Sequence, residues 1–376
     1  MNLKRIRHMD NIWKKVSIVS LMIGVSVVLA SCGKNQSKDS KEVNRKLKIG
    51  LLMETYDLDR WQRDEQLFTA KANSMGAEVL RAVADGDQDR QNKQADAFLT
   101  QGVDALVVIP KNLNTAARII KSAHEKNVPV VAYDRLILNC DLDLYVTFDN
   151  EKVGYLQAKG ILDKIPSGNY ILLGGAASDN NARLLRKGQL RAIEEHEKNT
   201  GKNITILADP FMDNWDREEA RRRISSLLTK FHAEGKRIDA IVASNDATAG
   251  GAIAALMAEG LQGKVAVSGQ DAELTACQRI VEGTQTITVY KPVKKIAEVA
   301  AEAAVRLARK EQASQIIASL GYAPNALDNG ARQVPSIFLE PVYVTKENMV
   351  STVVRDGWQP LDKVFANIPK DQWPNP

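Results

Sequence analysis

From Leu47 onward the chain alternates short, β-branched apolar runs with longer amphipathic stretches. The runs predict strands over Leu47–Met53, Glu78–Val83, Ala105–Ile109, Val128–Ala132, Tyr170–Leu173, Ile204–Leu207, Ala240–Ala243, Val265–Ser268 and Thr286–Tyr290. Between them the apolar residues fall at helical spacing. Trp61, Phe68, Ala72 and Met75 stand at i, i+7, i+11 and i+14, one face of a helix. After Pro292, a good first-turn residue, Val293, Ile296, Ala297, Ala300, Ala304 and Leu307 make a second such face. Repeated strand–helix alternation with near-continuous apolar strands predicts an α/β fold whose parallel sheets are covered on both faces. The units are too many for one sheet, so two α/β lobes are expected. A first lobe would span 47–150 plus 291–325, and a second 151–290 plus 326–365, with short strand-like pieces at Ser336–Leu339 and Val342–Val344 in the tail.

The N-terminal segment breaks this pattern. Residues 1–15 are basic, and Val16–Leu29 is an uncharged, mostly apolar run of 14 residues. A membrane span needs about 20 such residues, so the run reads as the core of an export signal over 1–31. It ends in Leu29-Ala30-Ser31-Cys32, which resembles a bacterial lipobox and implies lipidation of Cys32 after cleavage before it. Residues 32–46 are polar and charged, as a flexible tether would be.

The leader also distorts the charge. Of a net +5, residues 1–46 carry +7, which leaves −2 on the other 330 residues. A body so near neutrality has no general attraction for nucleic acid. Cys140 and Cys277 leave a single disulfide open but do not establish one, and the four scattered histidines argue against a metal site. Asp85-Gly86-Asp87-Gln88-Asp89 looks like a calcium loop, but Arg90 stands where its glycine belongs, so a capped turn before a helix is expected.

Ligands of open parallel sheets bind beyond the carboxyl ends of the strands. Here those ends are polar: Tyr133-Asp134-Arg135, Ser244-Asn245-Asp246, Gly269-Gln270-Asp271 and Lys291, with Asp179-Asn180-Asn181 after Gly174-Gly175. Sugar hydroxyls both donate and accept, so carboxylates, amides and cations suit them. Aromatic faces suit the ring's C–H groups, and Trp61 and Trp215 each follow a predicted strand. Each residue also has a plainer reading: Asp179 and Asp246 as helix caps, Asp134 and Arg135 as a local ion pair, Trp61 as core.

These motifs resemble the periplasmic sugar-binding proteins of ABC transporters, pentose/hexose branch, and most of all their D-xylose-binding members. The resemblance runs from about Lys46 to Trp358 and rests on Leu58-Asp59-Arg60-Trp61-Gln62, Ala132-Tyr133-Asp134-Arg135, Phe148–Gly154, Asp179-Asn180-Asn181-Ala182, Ala243–Gly251, Ser268-Gly269-Gln270-Asp271 and Thr288–Pro292. It implies two Rossmann-like lobes joined by three crossovers. It implies that Arg60, Asp134, Arg135, Asp179, Asn181, Asn245, Asp271 and Lys291 hydrogen-bond a pyranose such as D-xylose, with Trp61 and Trp215 flanking it. It further implies a monomer without cofactor that docks on a permease, here held by lipid to the outer face of the cytoplasmic membrane. The lipobox departs from the freely soluble family members, and so does Leu138-Asn139-Cys140 in a loop beside Asp134 and Arg135.

Three other readings share parts of this pattern. A sensor would present the closed receptor to a chemoreceptor or histidine kinase. A glycoside hydrolase would use paired carboxylates such as Asp134 and Asp271. A sugar-responsive repressor would need a DNA-binding motif ahead of Leu47, where this chain has an export signal.

Overall fold

The structure is a computed structural model that describes residues 45–57 and 60–374. The predicted signal, Cys32 and all but the last two residues of the 32–46 tether lie outside the described residues, as do Leu58 and Asp59. No helix among the described residues is long and apolar enough to cross a membrane.

The first sheet begins with five parallel strands: β1 (Leu47–Met53), β2 (Ala77–Val83), β3 (Ala105–Val108), β4 (Val130–Tyr133) and β5 (Leu144–Phe148). The chain then enters a second sheet of β6 (Gly168–Leu173), β7 (Ile204–Ala208), β8 (Ala240–Ala243) and β9 (Ala266–Val267), ordered β7-β6-β8-β9 and all parallel. After β10 (Thr288–Tyr290) it returns to the first sheet for β11 (Asn325–Asp328) and β12 (Gln333–Leu339). It leaves again for β13 (Val342–Val344), which pairs antiparallel with β10. The seven-stranded order is β11-β12-β5-β4-β3-β1-β2.

Each sheet is covered by helices because its strands are apolar on both faces: β3, β4, β5 and β8 are buried along their whole length. One face of the first sheet takes α1 (Arg60–Ser74), through Trp61 and Phe68. The other takes α2 (Gln88–Thr100) and α3 (Ala117–His124), through Phe98, Leu99, Ile119 and Ile120. In the second lobe, α4 (Asn150–Lys164) and α5 (Asn180–Thr200) cover one face with Ile161, Leu162 and Ile193. The opposite face is covered by α6 (Arg217–Ala233) and α7 (Asp246–Ala258), through Ile224, Phe231 and Leu256. The next helices are α8 (Leu274–Glu282) and α9 (Val293–Ala308); α9 crosses back and buries Ile296, Ala300 and Ala304 against the first sheet. Asp87 caps α2 by accepting from Asp89 and Arg90 amides, so the calcium-like segment is a capped turn.

The structure corrects three expectations. The lobe boundary at 325/326 is wrong: β12 pairs parallel with β5, Ser336 opposite Tyr145 and Leu339 opposite Phe148, so the last passage falls at Glu340–Pro341. The strand β5 was missing from the expected set, and without it β12 had no partner to reveal its lobe. The strand expected at Val128–Ala132 begins instead at Val130, since Pro129 has no N–H to give the ladder. Cys140 and Cys277 are both buried free thiols.

The pairing of α4 with α5 depends on two glycines. A Cβ on Gly154 would lie 1.9 Å from the Leu185 carbonyl oxygen, and one on Gly188 would lie 1.9 Å from that of Glu151. At Gly250, in α7, the nearest atoms are side-chain nitrogens at 3.4 Å. Gly154→Ala or Gly188→Ala should therefore destabilise the protein by about 1–3 kcal/mol or more. Gly250→Ala should be neutral or stabilising by up to about 1 kcal/mol, since alanine is the better helix former. Chemical denaturation of the three variants beside wild type checks this ordering.

Candidate functional site

The carboxyl ends of both sheets meet at one small cavity of about 20 Å³. All ten residues predicted from the sequence line it: Arg60, Trp61, Asp134, Arg135, Asp179, Asn181, Trp215, Asn245, Asp271 and Lys291. Leu185 and Gln270 line it too. Gln270 sat within a quoted motif but was not singled out, although its place directly after a strand end was the available signal. Leu185, an apolar residue in mid-helix, gave none.

Three cations and five carboxylates are buried here as one network. The Arg60 guanidinium lies 3.1 Å from Asp64, 3.0 Å from Asp134 and 3.5 Å from Asp271. The Lys291 ammonium lies 3.5 Å from Asp134 and 3.6 Å from Asp271. Arg135 spans the lobes, 2.8 Å from Glu54 and 2.9 Å from Asp179. Asp134 and Arg135 therefore each pair elsewhere and do not form the local ion pair their adjacency suggested. Burial pushes the Asp134 carboxyl up, but Arg60, Lys291 and Arg135 outweigh it and hold the group at about 2. Burial raises Asp179, with Arg135 and the Asn181 amide opposing. Burial likewise raises Asp64, which accepts the Tyr133 hydroxyl.

Capping and cavity-lining are combined rather than exclusive. Asp179 caps α5 with one oxygen, accepting from the Asn181 amide at 2.9 Å. Its other oxygen takes Arg135 and the Trp215 indole N–H at 3.2 Å. Asn245 caps α7 by accepting from the Thr248 amide at 2.9 Å, while its Nδ2 is buried without a partner. The Gln270 Oε1 and the Trp61 indole N–H are likewise buried and unpaired. Such groups are costly to leave unmet, and Asn245, Gln270 and Trp61 all line the small cavity. Asn181 donates to the Asp134 carbonyl at 3.0 Å and accepts from Asn150 at 3.0 Å, which fixes its amide across the lobes.

Two aromatic residues, Trp61 and Trp215, line the cavity. Trp61 is both core and wall: it packs in the cluster with Phe68 and carries the Arg60 guanidinium 4.4 Å from its ring centre. Trp215 fits because residue 175 is glycine; a Cβ there would lie 2.1 Å from its ring. Asp134 (φ 61°) and Asp271 (φ 95°) both sit in left-handed backbone. Such strain persists where the surroundings fix it, and it turns both carboxylates off their strand ends. Leu138-Asn139-Cys140 does not line the cavity; Asn139 and Cys140 hydrogen-bond Asn329 instead.

A second cavity of about 540 Å³ shares Arg135 and Trp215 with the first and opens between the lobes, where Lys111 donates to Asn214 at 2.8 Å. A larger one, about 660 Å³, lies beside His124 and Arg332, but these groups already pair with Asp143 and Asp141. Buried, unpaired polar atoms on its lining residues make the small cavity the candidate site. It holds little more than one water, so a larger ligand must open the ion pairs as it enters.

Asp134 should also contribute to stability. Its folded value lies below the ordinary 3.8, so its contribution is present above that value and lost as pH falls toward 2. The size is about 2 kcal/mol. Urea unfolding of Asp134→Asn beside wild type should show a deficit of about 1–3 kcal/mol near neutrality that shrinks on acidification through about pH 4 to 2.

Comparison with known proteins agrees with this architecture. Residues 49–312 match the family model of the periplasmic binding protein domain. The chain is 45% identical over 349 residues to the D-xylose-binding periplasmic protein of Haemophilus influenzae, covering 93% of this chain and 98% of that one. It is 43% identical to the Escherichia coli protein of the same name, covering 92% and 98%. A solved carbohydrate transporter solute-binding protein from Chloroflexus aurantiacus, in complex with D-glucose, superposes with a TM-score of 0.75 at 29% identity, covering 85% of this chain and 98% of its own. With two parallel α/β lobes meeting at a buried polar cavity, this chain belongs to the periplasmic binding protein family.

Proposed function

We propose that this chain is an extracytoplasmic receptor that captures D-xylose between its lobes and hands it to an ABC transporter permease. One observation carries the reading: buried hydrogen-bonding groups from both lobes converge on one cavity, with donors and acceptors left unpaired on its wall. A pyranose hydroxyl would meet Asn245 Nδ2 as acceptor and Gln270 Oε1 as donor. The carboxylates and cations would take the rest in charge-assisted bonds. The 43–45% identity to two D-xylose-binding proteins supports the choice of sugar.

Binding is the whole task in this reading. A general acid for glycoside cleavage needs a carboxyl that holds its proton near neutrality. Asp134, held at about 2 by three cations, is unsuited to that role. Its neighbour Asp271 is within ion-pair range of both Arg60 and Lys291. The lobes would close as a ligand-shifted hinge equilibrium at the passages after Phe148, Tyr290 and Leu339. The leader and Cys32 make the receptor a lipoprotein held at the outer face of the membrane.

Calorimetry of the mature chain against xylose, ribose, arabinose, glucose and galactose should show xylose binding tightest. Asn245→Ala and Asp271→Ala should each weaken it by about 10–100-fold, the loss of one or two hydrogen bonds to a buried ligand. X-ray scattering should show compaction on adding xylose; an unchanged radius of gyration would count against closure. Detergent phase partitioning should send the full chain to the detergent phase, and Cys32→Ser to the aqueous one.

A further inference from the structure

Asp246 stands behind the cavity rather than in its wall. It follows the capping Asn245 and is completely buried. Its carboxylate accepts from Gln285 Nε2 at 2.8 Å, Thr288 Oγ1 at 2.9 Å and the Glu273 amide at 3.0 Å, and its own amide donates to the Gln270 carbonyl at 2.9 Å. The segment it holds, Gly269–Glu273, carries Gln270 and Asp271 into the cavity wall. Asp271 (φ 95°) and Ala272 (φ 50°) are consecutive left-handed residues, a conformation that needs anchoring from outside. Asp246 supplies that anchoring at three points. It binds Glu273 directly, it reaches Ala272 through Thr288, whose hydroxyl takes the Ala272 amide at 3.3 Å, and it packs so close to Gly269 that a Cβ there would lie 1.9 Å from Oδ1. Trp358 and Gln359 hold the segment from the other side, through the Asp271 and Ala272 carbonyls.

We propose that Asp246 is a positioning residue for the ligand: its ionised carboxylate sets the Gln270–Asp271 segment, and its protonation weakens sugar binding. This rests on the sugar-receptor reading above. All three groups on the carboxylate are donors. A protonated carboxyl must donate in turn, and no acceptor stands ready. Gln285 cannot turn its oxygen inward without losing Arg279, whose Nε donates to Oε1 at 3.0 Å. The Thr288 hydroxyl already accepts from the Ala272 amide and points its own hydrogen at Asp246, so it could take the new proton only by giving up the bond it donates. Protonation therefore removes one anchor of a strained segment.

The charged groups around Asp246 are Arg279, whose guanidinium donates to the Asp246 carbonyl at 3.3 Å, Asp271 in front, and Glu273 paired with Arg217 at 3.5 Å; the titratable Cys277 thiol is kept neutral by burial. Burial raises Asp246 from 3.8 to about 7, with Asp271 adding to it and Arg279, Gln285 and Thr288 opposing. The raised value means that folding favours the protonated form. Stability from this group is thus present at low pH and lost as pH rises through about 7. Affinity changes the opposite way, because binding favours the ionised form.

The test is calorimetry of D-xylose binding to the mature protein between about pH 5.5 and 8.5. Wild type should bind roughly tenfold more weakly at the acid end. Asp246→Asn, which keeps the shape but sets an N–H against the donors, should bind weakly and equally at both ends, with a melting temperature above wild type at the alkaline end. Thr288→Val removes one donor, so its affinity should fall and its midpoint should move to higher pH. It also serves if Asp246→Asn does not fold. A flat wild-type profile, or an Asp246→Asn variant that keeps the wild-type slope, overturns the proposal. Wild type that binds no xylose at any pH sinks the receptor reading and this inference with it.

Discussion

The structure depends on a charge network buried where the two sheets point at each other. Arg60, Arg135 and Lys291 are each nearly inaccessible, as are Glu54, Asp64, Asp134, Asp179 and Asp271. Taking one such ion from water costs several kcal/mol unless partners replace its hydration. No single lobe supplies the partners. Arg135 stands on the first lobe and Asp179 on the second, while Arg60 on the first faces Asp271 on the second. The lobes therefore satisfy each other's charges at their meeting point. The fold places them there because parallel strands all present their carboxyl ends on the same side.

Local devices turn that general placement into a specific geometry. Two carboxylates leave their strands through left-handed residues, Asp134 and Asp271, where an ordinary extended residue would continue the strand direction. Asp179 and Asn245 each cap a helix with one atom; the other Asp179 oxygen takes Arg135 and Trp215, while Asn245 Nδ2 is left without a partner. Gly175 leaves room for the Trp215 ring. Further out, Glu54, Asp64, Tyr133 and Asn150 fix the residues that line the cavity without lining it themselves. Much of the polar capacity of the site is spent on positioning its own members.

The sequence shows this division unevenly. All ten residues predicted from strand ends and motif resemblance line one cavity, because the carboxyl ends of both parallel sheets open onto it. The supporting residues were not legible in the same way. Glu54 and Asp64 earn their importance from contacts far along the chain, with Arg135 and Tyr133, and nothing local marks them. Asp246 looked like a cap because it precedes an alanine-rich helix, yet Asn245 is the cap and Asp246 turns inward to Gln285 and Thr288. The missing strands had a different cause. Leu144–Phe148 follows a polar loop and is too short to show a period. Asn325–Asp328 carries weak strand formers, and its pairing with Gln333–Leu339 defines it.

The same network sets what a ligand can gain. On the proposed reading, a sugar entering the cavity would compete for groups that already pair across the lobes, so its affinity would be a difference between new bonds and broken ion pairs. Bonds of similar strength exchange at small net gain, and the surplus comes from atoms with no protein partner: Asn245 Nδ2, Gln270 Oε1 and the Trp61 indole N–H. This separates two roles within one site. In the proposed hinge equilibrium, Arg135 with Asp179, and Arg60 with Asp271, would favour the closed arrangement whether or not sugar is present. The unpaired atoms favour it only when a hydroxyl reaches them. A ligand shifts a two-state equilibrium only by its differential affinity for the two states. Discrimination among sugars should therefore depend more on those few unpaired atoms than on the more numerous charges around them.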